Sequence, residues 1–444
     1  MHSKWNSNPD SKSAQYSHWR SAAFSSSWLL YAGYYLCREN LRSVRTLPGA
    51  PPAQGDLTGL LFNFALAYVF GHLVAGTLAD LRSARKVALT GGLISAASTA
   101  AMLWVHTPHA LLALQLLNGF AQGLGFPSLC KMLAVWFNRR ERPKVLAWWS
   151  ASYSLGGVLA ASLTLWCATT QLIMPSWGWQ RCFIFPPILL ASISAWFYFI
   201  TRDDPQSAGL APISLSDMDM DEGKQRANTD QSFAGIWSGW WRVLANSQIR
   251  TIAAMYFFLK MTRYALLFWL PLYLVQTTHL SSNRAASTAA LFEFFGFAGA
   301  LLAVHLSIRY FNSRRYPVAA IMLFALGFLA LVQPLISTMG WWVSAISIAA
   351  MGLLVYAVDA LMVSVAVLES VPLACSARAI AAVNGAGSVG QMLSPLLVTW
   401  FARHYGWDNL FNLFLITSLV AAAIVAPRWN DDARELTPAA VAEA

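Results

Sequence analysis

Two guanidinium groups lie inside apolar stretches of this chain, and no other residues are better placed to do chemistry. Arg38 falls in SSWLLYAGYYLCRENL (Ser26–Leu41), and Arg263 in IAAMYFFLKMTRYALLFWLPLY (Ile252–Tyr273), which also carries Lys260. An arginine near a bilayer centre costs about 2.5–3.5 kcal/mol on insertion scales, so a chain that keeps two has a use for them. The planar fork of a guanidinium matches the oxygens of a phosphate or a carboxylate. We read the pair as a clamp for a small organic anion. The structural alternatives are pairing with Glu39 or Glu293, and snorkelling to an interface.

Other polar residues in apolar surroundings are weighed the same way. Asp359, in LLVYAVDALMV (Leu353–Val363), can bind a substrate ammonium, take up a coupled proton or offset Lys260. Lys260 is either a second anion contact or the neutraliser of Glu293. His72 is a phosphate contact or a helix–helix hydrogen bonder. Glu39 sits about 100° round a helix from Arg38 and suits structural pairing or gating. Lys131 lies near the end of its apolar stretch, where snorkelling is easy. Asn384 and Gln391 suit helix glue or cavity lining.

No phosphate-binding glycine loop, zinc-protease helix motif or nucleophile elbow is present, so no enzyme and no cofactor is expected. The five cysteines follow no metal or disulfide spacing and are read as packing residues. Without a nucleotide-binding module, energy must come from an ion or exchange gradient.

The elements that position these groups follow from composition. The chain is 57% hydrophobic and 11% charged, with a mean hydropathy of +0.48, and its apolar runs reach the length of about 20 residues that crosses a bilayer. We expect an all-α membrane protein with twelve spans, near 22–44, 57–79, 87–105, 109–135, 145–168, 181–200, 251–276, 285–308, 316–336, 340–370, 379–402 and 409–427. The corresponding division is a tail (1–21), a six-helix bundle (22–200), a polar linker (201–250) with the acidic run SDMDMDEGK, a second bundle (251–427) and a tail (428–444). The net charge of +10 reflects basic residues in short loops, which argues for positive-inside topology rather than nucleic-acid binding. Eleven Lys and Arg fall in one set of loops, including Arg82, Arg139 and Arg314, against five in the other, including Arg181 and Arg284. Both termini are therefore expected in the cytosol. The polar N-terminus shows no signal peptide. The run VNGAGSVGQ (Val383–Gln391) marks the eleventh span as the most deformable.

Between the second and third spans stands GTLADLRSARK (Gly76–Lys86), similar to the G-x-L-A-D-x-x-x-R-K loop of the major facilitator superfamily. There Gly76 permits close helix approach, Asp80 caps or pairs near a helix end, and Arg85 and Lys86 hold the cytosolic side. The copy in the second half, HLSIRYFNSRRY, is degenerate.

Within that superfamily the chain resembles the organophosphate:phosphate antiporters, a branch with glycerol-3-phosphate and hexose-phosphate transporters and a related sensor. The motifs are YAGYYLCREN (Tyr31–Asn40), RYALLFWLPLY (Arg263–Tyr273), FEFFGFAG (Phe292–Gly299), RDDPQSAGLAPI (Arg202–Ile213) and SLCKMLAVWFNRRER (Ser128–Arg142). The resemblance implies that Arg38 and Arg263 grip phosphate from two sides, with Tyr31, Tyr35 and Tyr68 lining the path. It implies that Glu293 pairs with Arg263 in the empty site and that Lys131 is the branch's fourth-helix base. His72 stands where the branch has a lysine, Tyr153 where some members have a histidine, Glu39 where a base is usual, and Asp359 where relatives are neutral.

The expected function is exchange of a phosphorylated compound or phosphonate, with an amine on the substrate suggested by Asp359, against inorganic phosphate. The protein would act by alternating access in the inner membrane, as a monomer. The alternatives are a proton-coupled importer of a polycarboxylate or siderophore-type anion, and a sensor of external sugar phosphate.

Overall fold

The computed structural model describes residues 9–38, 40, 44, 57–105, 107–211, 232–278 and 280–431. Glu39 and the acidic run of the linker lie outside them. The described chain is helical, with no strand. The first half comprises α1 (Pro9–Leu36), α2 (Leu57–Leu81), α3 (Ala84–Ala101), α4 (Pro108–Gly123), α5 (Gly125–Trp136), α6 (Arg142–Thr169) and α7 (Phe185–Ile200). A linker helix, α8 (Phe233–Ala245), precedes α9 (Ser247–Thr278), α10 (Ser282–Tyr310), α11 (Tyr316–Thr338), α12 (Trp341–Asp359), α13 (Ser376–Tyr405) and α14 (Leu410–Val425).

Nine segments among the described residues are long and apolar enough to cross a membrane. The rods α1, α4–α5 and α13 fall outside that set, and the reason is visible in their sequences. They carry polar groups that turn inward, such as Gln115, Asn118, Gln122 and Lys131 on α4–α5 and Asn384, Ser388 and Gln391 on α13, all buried. With them the twelve expected rods are present.

Three rods depart from simple spans. The first was expected to run to residue 44, but α1 stops at Leu36, and tighter turns follow: Cys37 N–H donates to the Tyr34 carbonyl (3.2 Å) and Arg38 N–H to that of Tyr35 (3.0 Å). The fourth is two helices meeting at Leu124. The tenth continues beyond α12 through a π-helical turn, Ala360–Ala366, before ending at Glu369. π turns concentrate at functional sites, and this one begins beside Asp359.

In the first half α2 packs on α4, α3 on α4 and α7, and α1 on α6 and α7. In the second, α10 packs on α12, α9 on α13 and α14, and α11 on α12 and α14. The halves meet through two cross-pairs, α2 with α13 and α6 with α10. The glycine run of α13, which in sequence suggests a deformable helix, lies inside a continuous 30-residue helix. Its glycines bring α9 close: a Cβ at Gly387 would strike Tyr256 and Lys260, and one at Gly390 the carbonyl of Phe257.

The linker helix is held by its ends. Ser232 accepts from Gly235 N–H (3.1 Å) at its start. Beyond it Asn246 turns the chain and caps α9, accepting from Gln248 N–H at 2.8 Å. Trp240 Nε1 donates to Thr77 Oγ1 on α2 (3.0 Å), which fixes α8 against the end of the bundle.

Close approach makes Gly390 a sharp test of this packing. Gly390→Val should lower stability by about 1–3 kcal/mol through overpacking at the α9–α13 contact. A lowered thermal midpoint of the detergent-solubilised protein is the expected reading, and an unchanged midpoint would refute it.

Candidate functional site

A narrow cavity opens where the halves meet. Its lining comprises Tyr31, Tyr35 and Arg38 from the first rod, Tyr68 from α2, Phe126 from α5 and Tyr153 from α6. The second half contributes Tyr256, Lys260, Arg263 and Tyr264 from α9, Asp359 from α12 and Asn384 from α13. Helical spacing explains the grouping. Residues 31, 35 and 38, and again 256, 260, 263 and 264, recur at three- and four-residue intervals and so share one face.

Arg38 sits just beyond the end of α1. Its Nε donates to Gln122 Oε1 (2.7 Å) and an Nη lies 3.5 Å from the Tyr68 hydroxyl. The guanidinium also faces the rings of Tyr35 (4.4 Å) and Tyr68 (5.2 Å). No carboxylate among the described residues pairs with it. Its position depends on α4, whose side-chain amides bond to the carbonyls of the turn that follows α1. Gln122 Nε2 donates to the Tyr34 carbonyl (3.1 Å) and Asn118 Nδ2 to that of Cys37 (2.9 Å). Ser95 Oγ donates in turn to Asn118 Oδ1 (2.7 Å). The amide that ends the helix is therefore the one that aims Arg38.

Arg263 is buried and donates through Nη1 to Asp359 Oδ2 at 2.7 Å. Its guanidinium lies over Tyr356 (4.1 Å) and near Tyr153 (5.2 Å), while its buried Nε finds no acceptor among the described residues. Lys260 Nζ donates to Ser388 Oγ (2.8 Å) and faces the rings of Tyr68, Tyr256 and Tyr264 within 6 Å. The lining thus holds three cations and one carboxylate. Arg38 and Lys260 hydrogen-bond to neutral side chains, Gln122, Tyr68 and Ser388.

Of the residues singled out in the sequence, Arg38, Arg263, Lys260, Tyr31, Tyr35, Tyr68, Tyr153 and Asp359 line this one cavity. His72 does not. It stands behind Tyr68, fully buried, with ring centroids 4.3 Å apart and Nδ1 3.0 Å from the Tyr68 carbonyl. Asp359 is a carboxylate that meets Arg263. Glu293 lies across the α6–α10 contact, where a Cβ on Gly157 would sit 2.9 Å from its Oε2. Asn384 lines the cavity, and Ser388 holds Lys260. Phe126, Tyr256, Tyr264 and Gln122 escape a reading of the sequence, although Tyr256 and Tyr264 stand four residues either side of Lys260.

The loop motif builds a second centre at the end of the bundle that carries the linker. A Cβ on Gly76 would lie 2.7 Å from Ala381 Cβ, so its absence lets α2 and α13 touch. Asp80, buried, accepts from the backbone N–H groups of Ala377 (3.1 Å) and Arg378 (3.0 Å) at the start of α13. Its carboxylate also pairs with Lys131 and, at 3.3 Å, with Arg378 Nε. Lys131 is thus spent in this network and not in the cavity. Arg85 closes the loop onto α7, reaching the carbonyls of Tyr198 (3.3 Å) and Thr201, while its N–H donates to Asp203 (2.8 Å). In the second half Arg315 forms a bidentate pair with Glu369 (3.0 and 2.8 Å).

Comparison with known proteins agrees with this architecture. The Major Facilitator Superfamily pattern matches residues 23–372 and, in a second match, 252–443. The glycerol-3-phosphate transporter of Bacillus subtilis (strain 168) is 26% identical over 433 residues, covering 96% of each chain. The phosphoglycerate transporter protein of Salmonella typhimurium is 30% identical over 379 residues, 82% of this chain and 79% of its own. Among solved structures, the E. coli fucose:proton symporter superposes with a TM-score of 0.69 at 14% identity, covering 92% of this chain and 98% of its own, which speaks to fold alone.

Asp80 joins the halves, so its loss should loosen them. In Asp80→Asn the buried Lys131 and Arg378 lose their counter-charge, a cost of about 3–5 kcal/mol. A cysteine placed at Ala381, fully buried at the α2–α13 contact, should then react faster with a polar thiol reagent. Unchanged reactivity would show that Asp80 does not hold the junction.

Proposed function

The chain belongs to the Major Facilitator Superfamily, and we propose that it is a secondary transporter exchanging a small phosphorylated compound for inorganic phosphate by alternating access. It is a multi-pass membrane transporter and not an enzyme. The observation that carries the substrate reading is the cavity itself. Arg38 from one half and Arg263 and Lys260 from the other face one space, with a single carboxylate among its lining residues. Phosphate oxygens can take two-pronged donation from guanidinium groups and hydroxyl donation from the surrounding tyrosines. The transporter relatives named for glycerol 3-phosphate and phosphoglycerate support the same class.

Exchange follows from charge. In the empty site three cations share one lining carboxylate, so counter-charge falls short, a state that costs free energy in a low-dielectric cavity. A bound phosphate supplies that charge from between the halves and lowers the cost of rocking one against the other. A carrier that reorients readily only when loaded will trade one phosphate compound for another. The Asp80 network would be the contact broken and remade at one end of the cycle. In the orientation we propose, that end faces the cytosol with both termini, and the membrane is the inner membrane.

Phosphate exchange in phosphate-loaded proteoliposomes tests the reading. Arg263→Ala and Arg38→Ala should each cut exchange by at least about tenfold in protein that remains folded and inserted. Arg38→Lys should not restore it, because an ammonium lacks the planar fork. Wild-type rates in either alanine variant would overturn the clamp.

A further inference from the structure

We propose that the exposed row of the linker helix α8 is a lipid-contact surface: the helix lies flat in the headgroup layer of the membrane, beside the junction between the halves. It has 13 residues, Phe233–Ala245, a length of about 20 Å at the rise of an α-helix. That is too short to cross a hydrocarbon core of about 30 Å. Its depth is nevertheless fixed. Only Asn246, in extended backbone, separates it from Ser247, where a membrane-crossing segment begins. Sideways it rests on the ends of two further rods. Trp240 Nε1 donates to Thr77 Oγ1 near the end of α2 (3.0 Å), and Gly239 seats on Arg378 in the first turn of α13, where a Cβ would overlap the guanidinium. Arg378 is itself a partner of Asp80, so the helix touches the Asp80 network directly.

Around α8 the side chains fall into three sectors, counted at about 100° per residue. Ile236, Gly239, Trp240 and Val243 turn to the bundle and are buried or half-buried. Ala234, Trp237, Trp241 and Leu244 form a second row, about 130° away, and all are exposed: 64% for Trp237, 65% for Trp241 and 49% for Leu244. Ser238 and Arg242 make a third row, polar and also exposed, about 100° further round. A helix divided in this way meets three media, with protein on one side, lipid on the next and water on the third. Tryptophan is the residue enriched at headgroup level, where an amphipathic ring is half in lipid and half in water. An interfacial helix buries its apolar face about 5–10 Å into the headgroup and acyl boundary. That is the depth at which Asn246 holds α8, one residue from the start of a span.

Fluorescence quenching by depth provides the test, with full-length chain in phosphatidylcholine proteoliposomes. Cys375→Ser serves as background, since the other four cysteines are buried. Bimane is attached at Trp241→Cys and, in a separate variant, at Ser238→Cys, both exposed positions where substitution leaves the packing intact. A nitroxide carried near the lipid headgroup should quench the label at 241 at least about twofold more than the label at 238. Iodide present on both faces of the vesicle should reverse that order. Trp237→Cys repeats the reading one turn earlier and should follow 241. Iodide quenching at 241 equal to that at 238 would overturn the lipid seat. Protection of 241 from both quenchers would overturn it too, because the row is then covered by protein, either the preceding stretch of the linker or a second copy of the chain.

Discussion

Arg38, Lys260 and Arg263 share one cavity with a single carboxylate in its lining, and the surrounding architecture can be understood as the means of keeping them there. Each buried ion loses several kcal/mol of hydration that the protein must recover through other contacts. The recovery is piecemeal: an amide, a phenol and three rings for Arg38, a hydroxyl and three rings for Lys260, a carboxylate and three rings for Arg263. Aromatic faces lend electron density to a cation without adding a formal charge. A tyrosine-rich wall can therefore hold basic groups while leaving their net charge for something else to answer.

At the linker end of the bundle the same problem has the opposite solution. There one buried carboxylate, Asp80, receives two cations and two backbone N–H groups, all at hydrogen-bonding or ion-pair distance. The first turn of α13 also presents its positive dipole end to that oxygen pair. Such a junction is self-sufficient and needs no ligand. The cavity holds three cations with one lining carboxylate, and in the exchange proposed above a bound phosphate would add charge there.

Much of this was legible in the sequence, and the limits have physical causes. Apolar runs of membrane length announce spans whatever they pack against, and a guanidinium inside one stands out because it is costly. Asp359 stood out for the same reason. Its partner did not, because α9 and α12 are brought together only by tertiary packing, and the nearer candidate in family terms was Glu293. Lys131 carries the same charge as Lys260, yet one faces the loop carboxylate and the other the cavity, a matter of which side of a helix meets which neighbour. Tyr256, Tyr264 and Phe126 are aromatic residues in apolar helices, indistinguishable by type from those facing lipid. The break after Leu36 has no proline or glycine to mark it, and the amides that bond its carbonyls, Asn118 and Gln122, are some eighty residues away in the chain.

The π turn that follows Asp359 has an implication for how this rod is phased. A π turn takes up one more residue than an α turn, which rotates everything beyond it by about 100° relative to a regular helix. Asp359 precedes the turn and Glu369 follows it, and each is tied by an arginine from a different neighbour, Arg263 on α9 and Arg315 at the start of α11. The extra residue sets the angle between those two ties. In a regular α-helix of the same length the two carboxylates would be out of phase with their arginines, whereas losing one residue together with the π turn would keep them in phase. The added residue works as a rotational shim, and the position of the cavity carboxylate is thereby coupled to an anchor at the far end of its own helix.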